Sequence, residues 1–167
     1  MDNIPFYLIA LAASIVAVYT DTRHGLITNR LTFPTMALGL VLHAVVGGWT
    51  GLGTAALGCA AGLGLLIIPF LLGGLGAGDV KLMAALGAVV GPAAVFSTFI
   101  YSAFLGGLIA LVILVRKHGW SGLLGTVLTG WRGLISPEMQ TTRITGFPYA
   151  AAIFAGLFAA ITIGTGV

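Results

Sequence analysis

The chain has 167 residues, of which 59% are hydrophobic and 7% charged, with seven Lys/Arg against four Asp/Glu. A soluble domain carries about 25% charged residues, so this composition excludes a water-soluble globule and leaves one polytopic membrane domain with no room for a separate soluble one. A single cysteine, Cys59, excludes an internal disulfide and a paired-cysteine zinc site.

Six apolar segments read as membrane spans in chain order: Ile4–Thr20, Leu31–Gly48, Leu52–Gly73, the short Val80–Gly91, Ala93–Val115 and Phe147–Gly164. The opening "MDNIPFYLIA" has no basic stretch and no small-residue cleavage site before Asp21, so it reads as a retained first span. Gly, Pro or charge punctuates the breaks at "GGWTG", "GGLGAGD" and "GP". The fourth segment is too short for a hydrocarbon core of about 30 Å. Either its helix extends through Pro92, or the glycine loop before it dips into the membrane. "GCAAG" at 58–62 and "GAVVG" at 87–91 carry the small-xxx-small spacing that lets helices approach closely. Within 117–138, Trp120, Leu123, Leu124, Val127, Leu128, Trp131, Leu134 and Ile135 recur at helical steps. This predicts a separate amphipathic helix lying in the cytoplasmic interface or against the bundle rim. The fold class is therefore an all-α membrane bundle of about six transmembrane helices plus that interfacial helix, in one domain over 1–167.

Basic residues set the orientation. Arg23 and Arg30 fall in the first loop, Lys81 at the third, and Arg116, Lys117, Arg132 and Arg143 in the fifth. All share one side, which is cytoplasmic by the positive-inside rule, with both termini outside. The expected location is the cytoplasmic (inner) membrane.

Asp2 and Glu138 read as solvated. Asp21 closes the first span and Asp79 opens the fourth. Two crossings separate them, so both sit at the cytoplasmic membrane edge. Two carboxylates at one depth, in a bundle poor in other charge, can share a proton and titrate as a unit. Such a pair activates water and polarises a carbonyl without a metal or a nucleophilic side chain. The plainer alternative is that each aspartate caps a helix or pairs with Arg23 or Lys81. Intramembrane acids favour a functional role.

Other chemistries lack parts. There is no nucleophile elbow, no HExxH and no GK[ST] after the glycines. His24, His43 and His118 fall in different regions, and His43 is expected to pack near the outer end of span two. No metal, cofactor or nucleic-acid partner is expected.

"GAGDVKLMAALGAVVG" resembles the GxGD motif of the type IV prepilin peptidases, membrane aspartyl proteases that include the archaeal preflagellin peptidases. "DTRHGLITNRLTFP" resembles that family's first-aspartate motif, and "GFPYAAAIFAGL" its last helix with a Pro-Tyr start. The resemblance implies an endopeptidase that cuts the basic leader from a prepilin or pseudopilin just before its hydrophobic helix, as in type IV pilus and secretion systems. Its catalytic pair carries over to Asp21 and Asp79. Gly76 and Gly78 are the motif glycines, expected to let backbone or substrate approach the pair. Asn29 and Lys81 match motif positions and are assigned to substrate binding. Where relatives often have Ile-Pro-Asn, this chain has Ile27-Thr28-Asn29, which implies a looser turn. Larger bifunctional members carry an N-terminal methyltransferase region with paired cysteines. The single cysteine here implies the short, peptidase-only form of Flp/Tad-type pilus systems. The rivals are a small transporter or channel using Asp21 and Asp79 as a proton or cation site, and a non-catalytic assembly factor. Oligomeric state and the particular prepilin stay open.

Overall fold

The computed structural model describes residues 4–72, 75–133 and 149–164. Among them are five α-helices: α1 (Ile4–His24), α2 (Asn29–Leu71), α3 (Ala77–Val90), α4 (Pro92–Gly133) and α5 (Tyr149–Gly164). Three are long and apolar enough to cross a membrane, over Ile4–His24, Asn29–Leu71 and Pro92–Ile109.

α1 runs one turn beyond the expected Thr20, so Asp21 lies on the helix. Gly25 ends it: at φ 63° its N–H donates to the Asp21 carbonyl at 2.8 Å, the left-handed glycine stop that satisfies a terminal carbonyl. Arg23 and His24 occupy the last turn, where positive charge suits the helix dipole. Thr28 then precedes α2 at φ −78°, ψ 142°. That φ lies within the range a proline imposes, so Thr28 holds here a backbone angle that the proline of Ile-Pro-Asn would also adopt.

The second expected span, and the third as far as Leu71, fall within α2. One residue divides them: Gly48, at φ 59° and ψ −139°, a conformation open to glycine. The arms on either side approach so closely that a Cβ on Gly51 would collide with the His43 carbonyl. Both arms pack on α3. A Cβ on Gly39 would lie 2.7 Å from the Ala88 backbone, one on Gly58 would strike the Gly87 carbonyl, and one on Gly62 the Met83 carbonyl. Gly58, Gly62 and Gly87 of the small-xxx-small pairs thus work as expected and let backbone meet backbone, whereas a Cβ on Gly91 would meet only the Thr54 side chain, at 3.6 Å.

α3 is the centre of the bundle, with Leu82, Met83, Leu86 and Val89 fully buried. It keeps to 14 residues, about 21 Å at 1.5 Å per residue. Gly91 at φ 83° breaks it and Pro92 starts the next helix, so α3 does not extend through Pro92. A helix this short is accommodated because protein rather than lipid surrounds it. At its far end His43 Nε2 lies 2.9 Å from the Val89 carbonyl oxygen, and the imidazole packs on Phe6 with ring centroids 4.5 Å apart.

α4 and α5 run antiparallel. Gly156 faces Thr98 and Ser102, and Gly106 faces Ala152. The separate interfacial helix over 117–138 is corrected: residues up to Gly133 continue α4 without a break. At 42 residues α4 is about 63 Å long, twice a hydrocarbon core of about 30 Å. The tryptophan face of 117–138 lies outside the described side chains.

Candidate active site

Four helix ends meet at one end of the bundle: the last turn of α1 and the first turns of α2, α3 and α5. Asp21 comes from the first, Asn29 from the second, Asp79 and Lys81 from the third.

Asp79 is the third residue of α3 and 7% exposed. Its carboxylate folds back over the helix start, where the Gly76 N–H donates to Oδ2 at 3.1 Å. The Asp79 N–H in turn donates to the Gly76 carbonyl at 3.1 Å. Gly76 leaves the space this needs, since a Cβ there would stand 3.2 Å from Asp79 Oδ2. The second motif glycine answers a different contact. A Cβ on Gly78 would come within 2.9 Å of Ile27 Cβ, so Gly78 lets the α1–α2 loop lie against the first turn of α3. Both glycines accommodate the protein's own groups.

Asp21 is held by a foreign helix. The Ala150 N–H, at the buried start of α5, donates to its carboxylate. An unpaired amide in the first turn of a helix is a natural donor for such a group. The two aspartates are near enough for the charge of Asp21 to act on Asp79. Each is aimed by one helix-start amide, and each keeps other lone pairs for further partners.

Asp79 lies outside the three long apolar spans. Burial pushes its carboxyl up to about 6; the Gly76 amide opposes the shift and the neighbouring Asp21 charge adds to it. Substituting Gly76→Ala should push the carboxylate back by a few tenths of an ångström and weaken its bond to the amide. The amide favours the ionised form, so weakening it moves the Asp79 midpoint further up. Carbon-13 titration of the Asp79 carboxyl checks this, and an unchanged or lowered midpoint contradicts the contact.

Lys81 does not pair with either acid. Its ammonium donates to Asn29 Oδ1 at 3.0 Å and stands 5.8 Å from the centre of the Phe33 ring. All six site residues drawn from the sequence thus collect at this end. Tyr149, singled out only within the Pro-Tyr motif, joins them: it opens α5, half-buried beside Ala150 and within reach of the Asp79 charge. Among the described residues no three of His, Cys, Asp and Glu gather as a metal site requires.

The sequence model of the type IV leader peptidase family matches residues 8–111, a stretch that holds both aspartates. The chain belongs to that family. It is similar to the prepilin leader peptidase/N-methyltransferase of Neisseria gonorrhoeae, 34% identical over 133 residues that cover 74% of this chain and 45% of the relative. The protein of the same name from Aeromonas hydrophila is 31% identical over 141 residues, covering 70% and 48%. This leader-peptidase-family chain thus spans about half the length of the curated relatives it matches. No solved structure matches it.

Proposed function

We propose that the protein is a membrane aspartic endopeptidase that removes the basic leader from prepilin-like substrates at the cytoplasmic membrane edge. The observation that carries this reading is the convergence of Asp21 and Asp79 on one end of the bundle, each oriented by a helix-start amide. Family membership and the names of the relatives support the substrate class. The proposal takes up the leader-peptidase half of that double name.

The two carboxyls divide the work. Burial favours the proton on Asp79, so Asp79 donates to the oxygen of the scissile carbonyl. Ionised Asp21 takes a proton from water, whose oxygen adds to the carbonyl carbon. The tetrahedral intermediate then collapses: the C–N bond breaks, the leaving amine takes the proton held by Asp21, and a hydroxyl of the intermediate returns its proton to Asp79 as the new carbonyl forms. The pair titrates as a unit.

In this reading the site end faces the cytoplasm, the side to which every Lys and Arg sorts, and the Gly48 turn faces outward across six spans. Trp49, 89% exposed beside that turn, and Arg116 are then on opposite sides. Single cysteines at these two positions, in a Cys59→Ala background, should be labelled by an impermeant reagent from opposite faces of the membrane. Labelling of both from one face contradicts the topology.

The test of function is cleavage by the purified protein, in detergent, of a peptide with a basic leader, a Gly and an apolar helix. Cleavage before the apolar helix is expected. An intact peptide, where a known leader peptidase cuts it in the same detergent, overturns the proposal.

A further inference from the structure

Lys81 stands two residues beyond Asp79 on α3. At 100° per residue the two side chains leave the helix about 200° apart. Lys81 therefore projects away from the carboxylate pair, toward α2. What it meets there is the start of that helix: Asn29 Oδ1 at 3.0 Å and the Phe33 ring at 5.8 Å. A second contact lies beside the first. Gly78 packs on Ile27, in the loop that joins α1 to α2. That loop is four residues long, Gly25 to Thr28, and Gly25 is bonded directly to the Asp21 carbonyl. Whatever holds the loop to α3 therefore fixes the end of α1 relative to the start of α3, and with it Asp21 relative to Asp79.

We propose that Asn29 and Lys81 are positioning residues: their hydrogen bond clips the α1–α2 loop to the first turn of α3 and sets the spacing of the two aspartates. Neither residue touches the substrate. The inference rests on the peptidase reading of that pair and goes beyond it, replacing the substrate-binding role that the motif positions suggested. Phe33 supports the clip by holding the ammonium over its ring face. Asn29 serves because its carbonyl oxygen accepts from Lys81, 52 positions later in the chain.

Misplacement of a reacting group by about 1 Å can cost about 100-fold in rate. Asn29→Ala and Lys81→Met should each lower kcat on the leader peptide by roughly 10- to 100-fold, with KM held within about twofold. The double variant should be no worse than the poorer single, because each single variant already opens the clip. Asn29→Asp keeps an acceptor for Lys81 and should recover the greater part of the loss. Hydrogen exchange supplies a readout independent of cleavage: amides of residues 25–29 should exchange faster in Asn29→Ala and Lys81→Met, and at the wild-type rate in Asn29→Asp. If Lys81→Met instead raises KM at constant kcat while Asn29→Ala is inert, Lys81 contacts the substrate and the clip is wrong. Unchanged exchange in both disrupting variants refutes it as well. Should the wild-type protein leave the peptide uncut, the peptidase reading fails, and the exchange measurement alone decides whether the clip exists.

Discussion

Asp21→Asn and Asp79→Asn are each expected to abolish leader cleavage, by more than about 10³-fold, with the double variant no worse than either single one. Asparagine discriminates well here because it retains the acceptor that each carboxylate offers to a backbone amide. In Asp79→Asn the side-chain oxygen would still receive the Gly76 N–H, and in Asp21→Asn the Ala150 N–H. A pair of aspartates that only cap helix starts should therefore survive these changes, since Asn and Asp cap about equally well. A pair that must pass a proton cannot. Stability should move the other way. The Asp79 midpoint is about 6 in the folded protein against 3.8 for the free group, so the folded state binds that proton more tightly. Stability from this group is greatest below about pH 4, falls as pH rises toward 6 and stays low above it. The Asp79→Asn substitution removes the charge and should raise thermal stability in detergent at pH 7, by at most about 3 kcal/mol from a shift of this size. EDTA should leave wild-type cleavage intact. Near-normal activity in either single variant, or inhibition by EDTA that added metal reverses, refutes the two-carboxylate mechanism.

What the sequence made legible was the part written in side chains. Asp79 sits among glycines because its carboxylate needs the room that Gly76 leaves, and that requirement is visible as Gly-x-Gly-Asp. Asp21 reached the same end of the bundle by counting crossings alone. What stayed hidden was written in backbone. The amide that holds Asp21 belongs to Ala150, and an alanine offers no side-chain signal of such a role. The run Arg116-Lys117-His118-Gly119 read as a break between the fifth span and a separate interfacial helix because of its charge and glycine. Yet Arg and Lys are good helix formers, and α4 continues through them. At "GGWTG" the sequence marked a break but not how little it takes: one positive-φ glycine, Gly48, interrupts α2. The partnership of Lys81 with Asn29 is long-range, and spacing in the chain says nothing about it.

The largest loss of stability is expected where α2 and α3 touch without side chains between them. Gly58→Ala and Gly87→Ala each place a methyl into the other helix's carbonyl. Ordinary overpacking costs about 1–3 kcal/mol, because flexible side chains can yield. Here the obstacle is backbone on both sides, so the helices must separate, and the cost should exceed that range. Separation also exposes the fully buried Leu86 and Val89 beside Gly87 and weakens dispersion contacts along the whole seam. The damage reaches the candidate site because α3 carries Asp79 at its other end. Gly53→Ala is the control: nothing lies within 4 Å of a Cβ there, and alanine is a better helix residue than glycine by about 1 kcal/mol. Thermal unfolding in detergent should thus rank Gly53→Ala at or above wild type, with Gly58→Ala and Gly87→Ala far below. The double variant should cost less than the sum, since one displacement of α3 makes room for both methyls. If the Gly58 and Gly87 variants melt with wild type, the two helices do not meet at these carbonyls, and the α2–α3 packing described for the bundle is wrong.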